Sequence, residues 1–360
     1  MNNSDTPSCQ LSNKTIESLT ELANNLAWKQ PNLSVLKPEF SGQYPPIAEL
    51  LQHHLFASEE RRRLVLPNLR AFNNETVAVF TDYGGETKGA SYSTYSILVC
   101  GWNLKEPFLR RMKEIRHNYC LGTKEIAFKD FRMGQIQRAL PDYLAALNNL
   151  LPGFLFTLAI DRRLTSIFGA QGRETKEFIA NALARADLGE RKAEVNEKLL
   201  RIVHLTAFLV GLLAQDGQRI FWMTDHDSIS PTPSMHEKTL RLFQSVLGLY
   251  ARKGHHFPLL GGALPFAERS LDTLDLLSAP DIVAGCIEQY VSQMHAVPPH
   301  EIKVKQGCDR VLQWLAHDGV GLKKMNMIMR PGKSGGIEAV TFEFGLETPP
   351  TDAVVIPVSM

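Results

Sequence analysis

The sequence predicts a mixed α/β fold, one sheet of parallel and antiparallel strands flanked by helices. Three observations carry that prediction. Two β-prone runs, 76–82 and 92–102, are joined by a Gly- and Ser-containing turn and read as an antiparallel hairpin. Two further apolar strands, FLFTLAIDRR at 154–163 and RIFWMTDHDS at 219–228, are set apart by helical stretches. A helix over 272–294 closes the unit.

Length and composition bound the rest. At 360 residues the chain is long enough for one large domain with appendages or for two domains. Its net charge of +1 gives no global field for nucleic acid or membrane, so any such surface must be local. The start, MNNSDTPSCQLSNKTIESL, lacks the charged and apolar regions of a signal peptide. LTAFLVGLLAQ at 205–215 is too short to span a bilayer. Cys9, Cys100, Cys120, Cys286 and Cys308 are odd in number and show no CxxC spacing. They read as reduced thiols of a cytoplasmic protein without membrane attachment.

Taken in order, residues 1–70 form a helical N-terminal region. Ser12 caps a helix carrying Thr15, Ile16, Leu19 and Leu22, and IAELLQHHLFA at 47–57 gives a second. The main domain spans 71–300. After the hairpin, 105–118 reads as a helix, EIAFKDF at 125–131 as a short strand or strand-like approach, and 134–150 as a helix. A helical insertion occupies about 164–218. Its apolar stripe, Leu199, Leu200, Val203, Leu209 and Leu212, is expected to pack on the core, on a second copy or on a partner protein. A helix over 235–253 and an edge strand over 256–264 follow, then the closing helix, where Pro280 permits a restart or kink. Residues 301–360 form a small C-terminal appendage, with a helix at 301–318 and a hairpin within MNMIMRPGKSGGIEAVTFEF.

The chemistry gathers at the strand ends. VAVFTDYGG at 77–85 is an apolar strand that ends by lifting Asp82 over a glycine turn. Asp225 and Asp227 end a second strand in FWMTDHD, Glu125 opens EIAFK, and Asp281 lies among apolar neighbours in LLSAPDIVAG. Each has an ordinary structural explanation when taken alone: a turn residue, a solvated acid, or a first-turn acid favoured by a helix dipole. Together they share an order. Asp225 and Asp227 face the same side of their strand, so either could be the member from that element.

That order resembles the ribonuclease H-like superfamily: an Asp on the first strand, a Glu after the opening hairpin, an Asp ending the fourth core strand, and an acid on a late helix. More narrowly it is similar to a largely uncharacterised bacterial family with a D-E-S-G strand, an E-I-K-like stretch and a helix of the Q-L-A-D-L-I-A-G type. The counterparts are FTDYGG, EIAFK, WMTDHD and LLSAPDIVAG, and the resemblance covers about 76–295. The chain departs from the pattern at Tyr83-Gly84, which stands where the family has E-S, leaving Glu86 as the nearest second acid; Pro280 before Asp281 is a further departure.

The resemblance implies a metal-dependent nuclease acting on DNA or RNA. Two Mg²⁺ or Mn²⁺ ions about 3.5–4 Å apart would be held by carboxylates. Asp82 would bridge them, Glu125 and Asp225 would each complete one, and Asp281 would bind the second or orient its water. Lys129 would contact phosphate. It also implies an alternative, a non-catalytic binding or assembly subunit, in family context one of a bacterial defence complex. A phosphate-ester hydrolase for small nucleotides is a third reading.

Among basic stretches, 59–70 and 110–117 carry neighbouring acids. KKMNMIMRPGKSGG at 323–336 carries none, which makes Lys323, Lys324, Arg330 and Lys333 the preferred nucleic-acid contacts. PGKS at 331–334 is no phosphate loop, because Met327 stands where the motif needs glycine. His255-His256 lacks zinc spacing.

Overall fold

Strand β1, Thr76–Gly84, sends alternate side chains into two apolar layers, and the fold is built outward from it. Val77 and Val79 enter one layer; Ala78 and Phe80 enter the other. The computed structural model describes residues 45–344 except 62–63, 88, 169–172, 189–190, 226–227, 265–269, 295–296, 299–300, 318 and 334. The helix expected at Ser12 and the side chain of Asp227 lie outside the described residues.

The remaining strands are β2 (Tyr92–Gly101), β3 (Gly153–Asp161), β4 (Arg219–Thr224), β5 (Leu260–Ala263), β6 (Leu322–Pro331) and β7 (Ile337–Phe342). They form one seven-stranded sheet in the order β5-β4-β1-β2-β3-β6-β7. Neighbours β1–β2, β2–β3 and β6–β7 are antiparallel; β1–β4, β4–β5 and β3–β6 are parallel. The opening hairpin and the edge position of β5 are as the sequence predicts. The C-terminal hairpin, expected as an appendage, continues the main sheet, because β6 pairs with β3 from Gly153↔Leu322 to Ile160↔Met329.

Helices cover both faces. One layer contains α1 (Pro46–Glu60), α4 (Arg173–Arg185), α5 (Ala193–Leu213) and α6 (Pro233–Tyr250). The other contains α2 (Glu106–Asn118), α3 (Gly134–Leu150), α7 (Leu271–Gln293) and α8 (Cys308–Leu315). No described helix is long and apolar enough to cross a membrane.

Three expectations are corrected by packing. Residues 125–131 form no strand; they approach a helix and close in a 3₁₀ turn at Phe128–Asp130. The helix expected at 301–318 is only α8, because Gly307 reverses the chain in the left-handed region (φ 92°) immediately before it. Pro280 neither restarts nor breaks α7. A mid-helix proline costs about 3 kcal/mol, whereas Leu276, Ile282, Val283 and Ile287 are all fully buried on the sheet side. At about 1.5–3 kcal/mol each, that burial outweighs the proline. The stripe on α5 packs on the core, one of the placements expected for it: Leu199, Val203 and Leu209 are fully buried, and Leu200 and Leu212 pack against the same cluster.

Helix α5 meets α6 at Gly211, where an added Cβ would stand 2.7 Å from the backbone oxygen of Tyr250. Helix propensity alone makes Gly211→Ala stabilising by about 1 kcal/mol. Overpacking against a backbone atom costs about 1–3 kcal/mol. Sterics should win, and we expect urea unfolding of Gly211→Ala to show a net loss on the order of 1 kcal/mol; a gain would mean the helices separate freely.

Candidate functional site

The ends of β1 and β4 are fixed to each other before any acid is considered. Thr81 pairs with Thr224, and the Asp225 N–H donates to the Thr81 carbonyl at 3.0 Å. On the face away from α7, the Tyr83 hydroxyl sits 2.7 Å from both Thr81 Oγ1 and Thr224 Oγ1, and Trp222 Nε1 donates to Thr81 Oγ1 at 3.0 Å. This buried network pins the backbone from which Asp82 and Asp225 emerge.

Helix α7 crosses β1, β2 and β3 on the opposite face. Thr94 Oγ1 donates to the Ala284 carbonyl at 3.0 Å, which sets the helix against the strand beside Asp82. Segment 125–131 then lies on α7 like a strap. The Phe128 N–H donates to Asp281 Oδ2 at 2.8 Å, and the Phe128 ring lies where Gly285 has no side chain: an added Cβ would come within 2.4 Å of it. Lys305 Nζ holds the strap from the other side, donating to the carbonyls of Phe128 (2.6 Å) and Lys129 (2.9 Å). These helix contacts replace the strand pairing expected for EIAFKDF.

The result is a pocket of about 150 Å³ lined by Asp82, Glu125, Ala127, Lys129, Asp225, Leu274, Leu277, Ser278 and Asp281. The four acids singled out in the sequence therefore meet, with Lys129 beside them. They are graded in depth: Asp82 is 7% exposed, Asp225 and Asp281 are partly buried, and Glu125 and Lys129 are exposed. Asp82 also begins a row of buried polar residues on one face of the sheet, continuing through Ser96, Thr157 and Asn326 on successive strands. Ser96 Oγ and Thr157 Oγ1 are 2.9 Å apart.

Burial, and then the charges of Asp281 and Asp225, push the Asp82 carboxyl well above its ordinary range. The Tyr83 N–H, 2.6 Å from Asp82 Oδ1, and Lys198 act against them. Burial likewise raises Asp281 to about 6; Asp225 and Glu125 add to it, while the Phe128 N–H and Lys129 oppose it.

Leu274, Ser278 and Lys305 were not singled out in the sequence, and Leu277 was legible only as an apolar neighbour of Asp281. Ser278 was findable, since it stands one helical turn before Asp281. Lys305 was not, because it reaches the strap only through tertiary packing. The basic tail does not reach the pocket. Lys324 Nζ donates to the Trp314 carbonyl at 2.7 Å, Asn148 Oδ1 at 2.9 Å and the His317 carbonyl. Lys323 donates to the Gly319 carbonyl at 3.0 Å, and Arg330 pairs with Glu338 at 3.0 Å. Lys333 is exposed between β6 and β7. The stretch that reads as net basic is thus largely bound to its own fold.

The donor set suits a hard divalent cation in kind, since it offers carboxylates and a serine hydroxyl but no thiolate or imidazole. In the geometry seen here, no three His, Cys, Asp or Glu side chains among the described residues are arranged to hold a metal ion. Asp82 and Asp281 each accept from a backbone N–H instead. No protein-family model matches the chain, and neither does any curated protein sequence.

The raised acid sets a pH dependence. Asp281 keeps its proton to about pH 6 when folded but releases it near 3.8 when unfolded. Folding therefore takes up a proton between those values, and stability falls as pH rises through about 6. In EDTA, Asp281→Asn should be more stable than the wild type by roughly 1–2 kcal/mol at pH 8, the gap closing as pH falls toward 4. Asparagine can still accept from Phe128, so thermal melts across pH isolate the charge. No gain at pH 8 would mean that burial and the neighbouring acids do not hold Asp281 above its ordinary range.

Proposed function

We propose that the protein is a metal-dependent nuclease of the ribonuclease H-like type, hydrolysing phosphodiester bonds in DNA or RNA. One observation carries the reading: Asp82 on the first strand, Glu125 after the opening hairpin, Asp225 after the fourth strand and Asp281 on a late helix line one small pocket. Carboxylates that raise one another's pKa lose that cost when a cation joins them.

Asp82, Asp225, Asp281 and Glu125 would hold Mg²⁺ or Mn²⁺, which when bound would neutralise the scissile phosphate and activate a water. The chain's own residues then have distinct tasks. Asp82, deepest and pinned through β1, fixes the floor. Asp281 is oriented by the Phe128 N–H, so the strap that carries Glu125 and Lys129 also aims the helix acid. Lys129, exposed beside the acids, is placed to meet a phosphate oxygen on the side where substrate arrives.

A second reading, a binding or assembly subunit that keeps the fold without catalysis, is favoured by the backbone hydrogen bonds on Asp82 and Asp281 and by the absence of a preformed three-residue cage among the described residues. Cleavage assays separate the two. Purified protein is incubated with single- and double-stranded DNA and RNA in Mg²⁺, Mn²⁺ or EDTA. The nuclease reading requires cleavage that EDTA abolishes. Loss of an outer support typically costs about 10–100-fold, so Asp82→Asn, removing an inner ligand, should cost more than about a hundredfold. Cleavage that survives EDTA, or wild-type rates in Asp82→Asn, would sink it; no cleavage of any substrate favours the binding subunit.

A further inference from the structure

The strap that carries Glu125 and Lys129 is tied to α7 by more than the Phe128–Asp281 bond. Arg116, in the last turn of α2, is buried (8% exposed) beside Asp275 of α7 (2% exposed). Its Nε donates to Asp275 Oδ2 at 3.0 Å, and its Nη2 donates to Asp275 Oδ1. Its Nη1 is spent elsewhere, on the carbonyls of Gly122 and Lys124 at 2.9 Å each. Glu125 is the next residue. Asp275 is fixed in turn, since Tyr143 of α3 donates its hydroxyl to the Asp275 carbonyl at 2.8 Å.

Packing does not require this pair. A buried ion pair returns little net stability, because desolvating both charges offsets most of their attraction, and apolar residues of like volume often serve as well. Nor do the loop carbonyls require it. Gly122 and Lys124 are exposed, so water can satisfy both. What an apolar pair and water cannot supply is a fixed position. The guanidinium is a rigid planar fork, so the side held by a carboxylate on α7 sets where the other side holds the loop. Gly122, in the left-handed region (φ 56°), provides the turn at which the carbonyls meet it. At the far end, the Lys305 N–H donates to Gln289 Oε1 of α7 at 2.8 Å while its Nζ holds the carbonyls of Phe128 and Lys129. Helix α7 therefore grips the strap on both sides of Asp281.

We propose that Arg116 and Asp275 are positioning residues for the acidic pocket: the pair sets Glu125 on the strap against Asp281 on the helix, so that both reach one divalent cation. Neither residue lines the pocket, so they act on the ion only through the acids they place. Loss of such outer support typically weakens metal binding by about 10–100-fold. The inference rests on the reading of the pocket as a cation site; the fixing of the strap does not.

The test reads Mn²⁺ affinity by calorimetry and, without metal, hydrogen exchange of the strap amides. Arg116→Lys keeps a positive charge beside Asp275 but cannot span the carboxylate and two carbonyls. Arg116→Met combined with Asp275→Leu replaces the pair by an apolar one and leaves no charge buried alone. Gly211→Ala, in the other layer, shows what lost stability does by itself. We expect both Arg116 variants to bind Mn²⁺ at least about tenfold more weakly (1.4 kcal/mol). Their amides at 125–128 should exchange at least about tenfold faster, while Gly211→Ala matches the wild type in both readouts. The proposal is overturned if either folded Arg116 variant keeps wild-type Mn²⁺ affinity or strap exchange, or if Gly211→Ala weakens Mn²⁺ as much. Failure of both Arg116 variants to fold also overturns it, since the pair would then serve the fold itself. If the wild type binds no Mn²⁺, the cation reading fails and exchange alone decides. Protection lost only in the strap then keeps Arg116 and Asp275 as its positioning pair, and unchanged protection removes them.

Discussion

The burial of neighbouring carboxylates is the constraint around which the rest of the structure is arranged. Burial, and then Asp281 and Asp225, raise the proton affinity of Asp82, and burial with Asp225 and Glu125 raises that of Asp281. Nothing local favours such a cluster, so rigid supports must impose it. The Tyr83–Thr81–Thr224–Trp222 network locks one pair of strand ends. Helix α7 is pressed on three strands by its apolar face, and that packing carries Asp281 into place. The strap completes the pocket and is itself held by a lysine and a glycine notch.

The acidic pocket and a cavity behind the β1–β2 turn share the end of β1 but not its face. Side chains alternate along the strand, so Asp82 and Tyr83 are neighbours in sequence yet look into different layers. Lys198 lies over the Tyr83 ring, 4.9 Å from its centroid, while its charge acts through the strand on Asp82. The β1–β2 turn thus separates a recess lined by carboxylates from a cavity lined by charges of both signs.

Much of this was legible in the sequence because its cues are local. Val77–Phe80 and Ile220–Met223 alternate or run apolar as strands do, and an acid at the end of each is visible without a structure. The acids on a helix and in a loop were legible only through their order. What stayed hidden depends on tertiary packing. EIAFK has strand-like residues, but its neighbour is a helix, so its backbone groups are satisfied by Asp281 and Lys305. Lys324 and Arg330 read as free charges because carbonyls of Trp314 and His317 and the Glu338 carboxylate reach them only after folding. The buried polar row through Ser96, Thr157 and Asn326 was hidden for a like reason: register, not composition, aligns it.

The parallel pairing of β1 with β4 has a kinetic consequence. Hydrogen bonds at that junction join residues 141 positions apart, and the Phe128–Asp281 bond spans 153. Contacts closed over such long loops form slowly, after the β1-β2-β3 meander has assembled from nearer pieces. The mutual repulsion of the acids therefore arises once the folding barrier is largely crossed, and its relief should act on the rate of unfolding rather than of folding. A chevron plot would place that effect in its unfolding limb, so the same repulsion sets how long the fold persists.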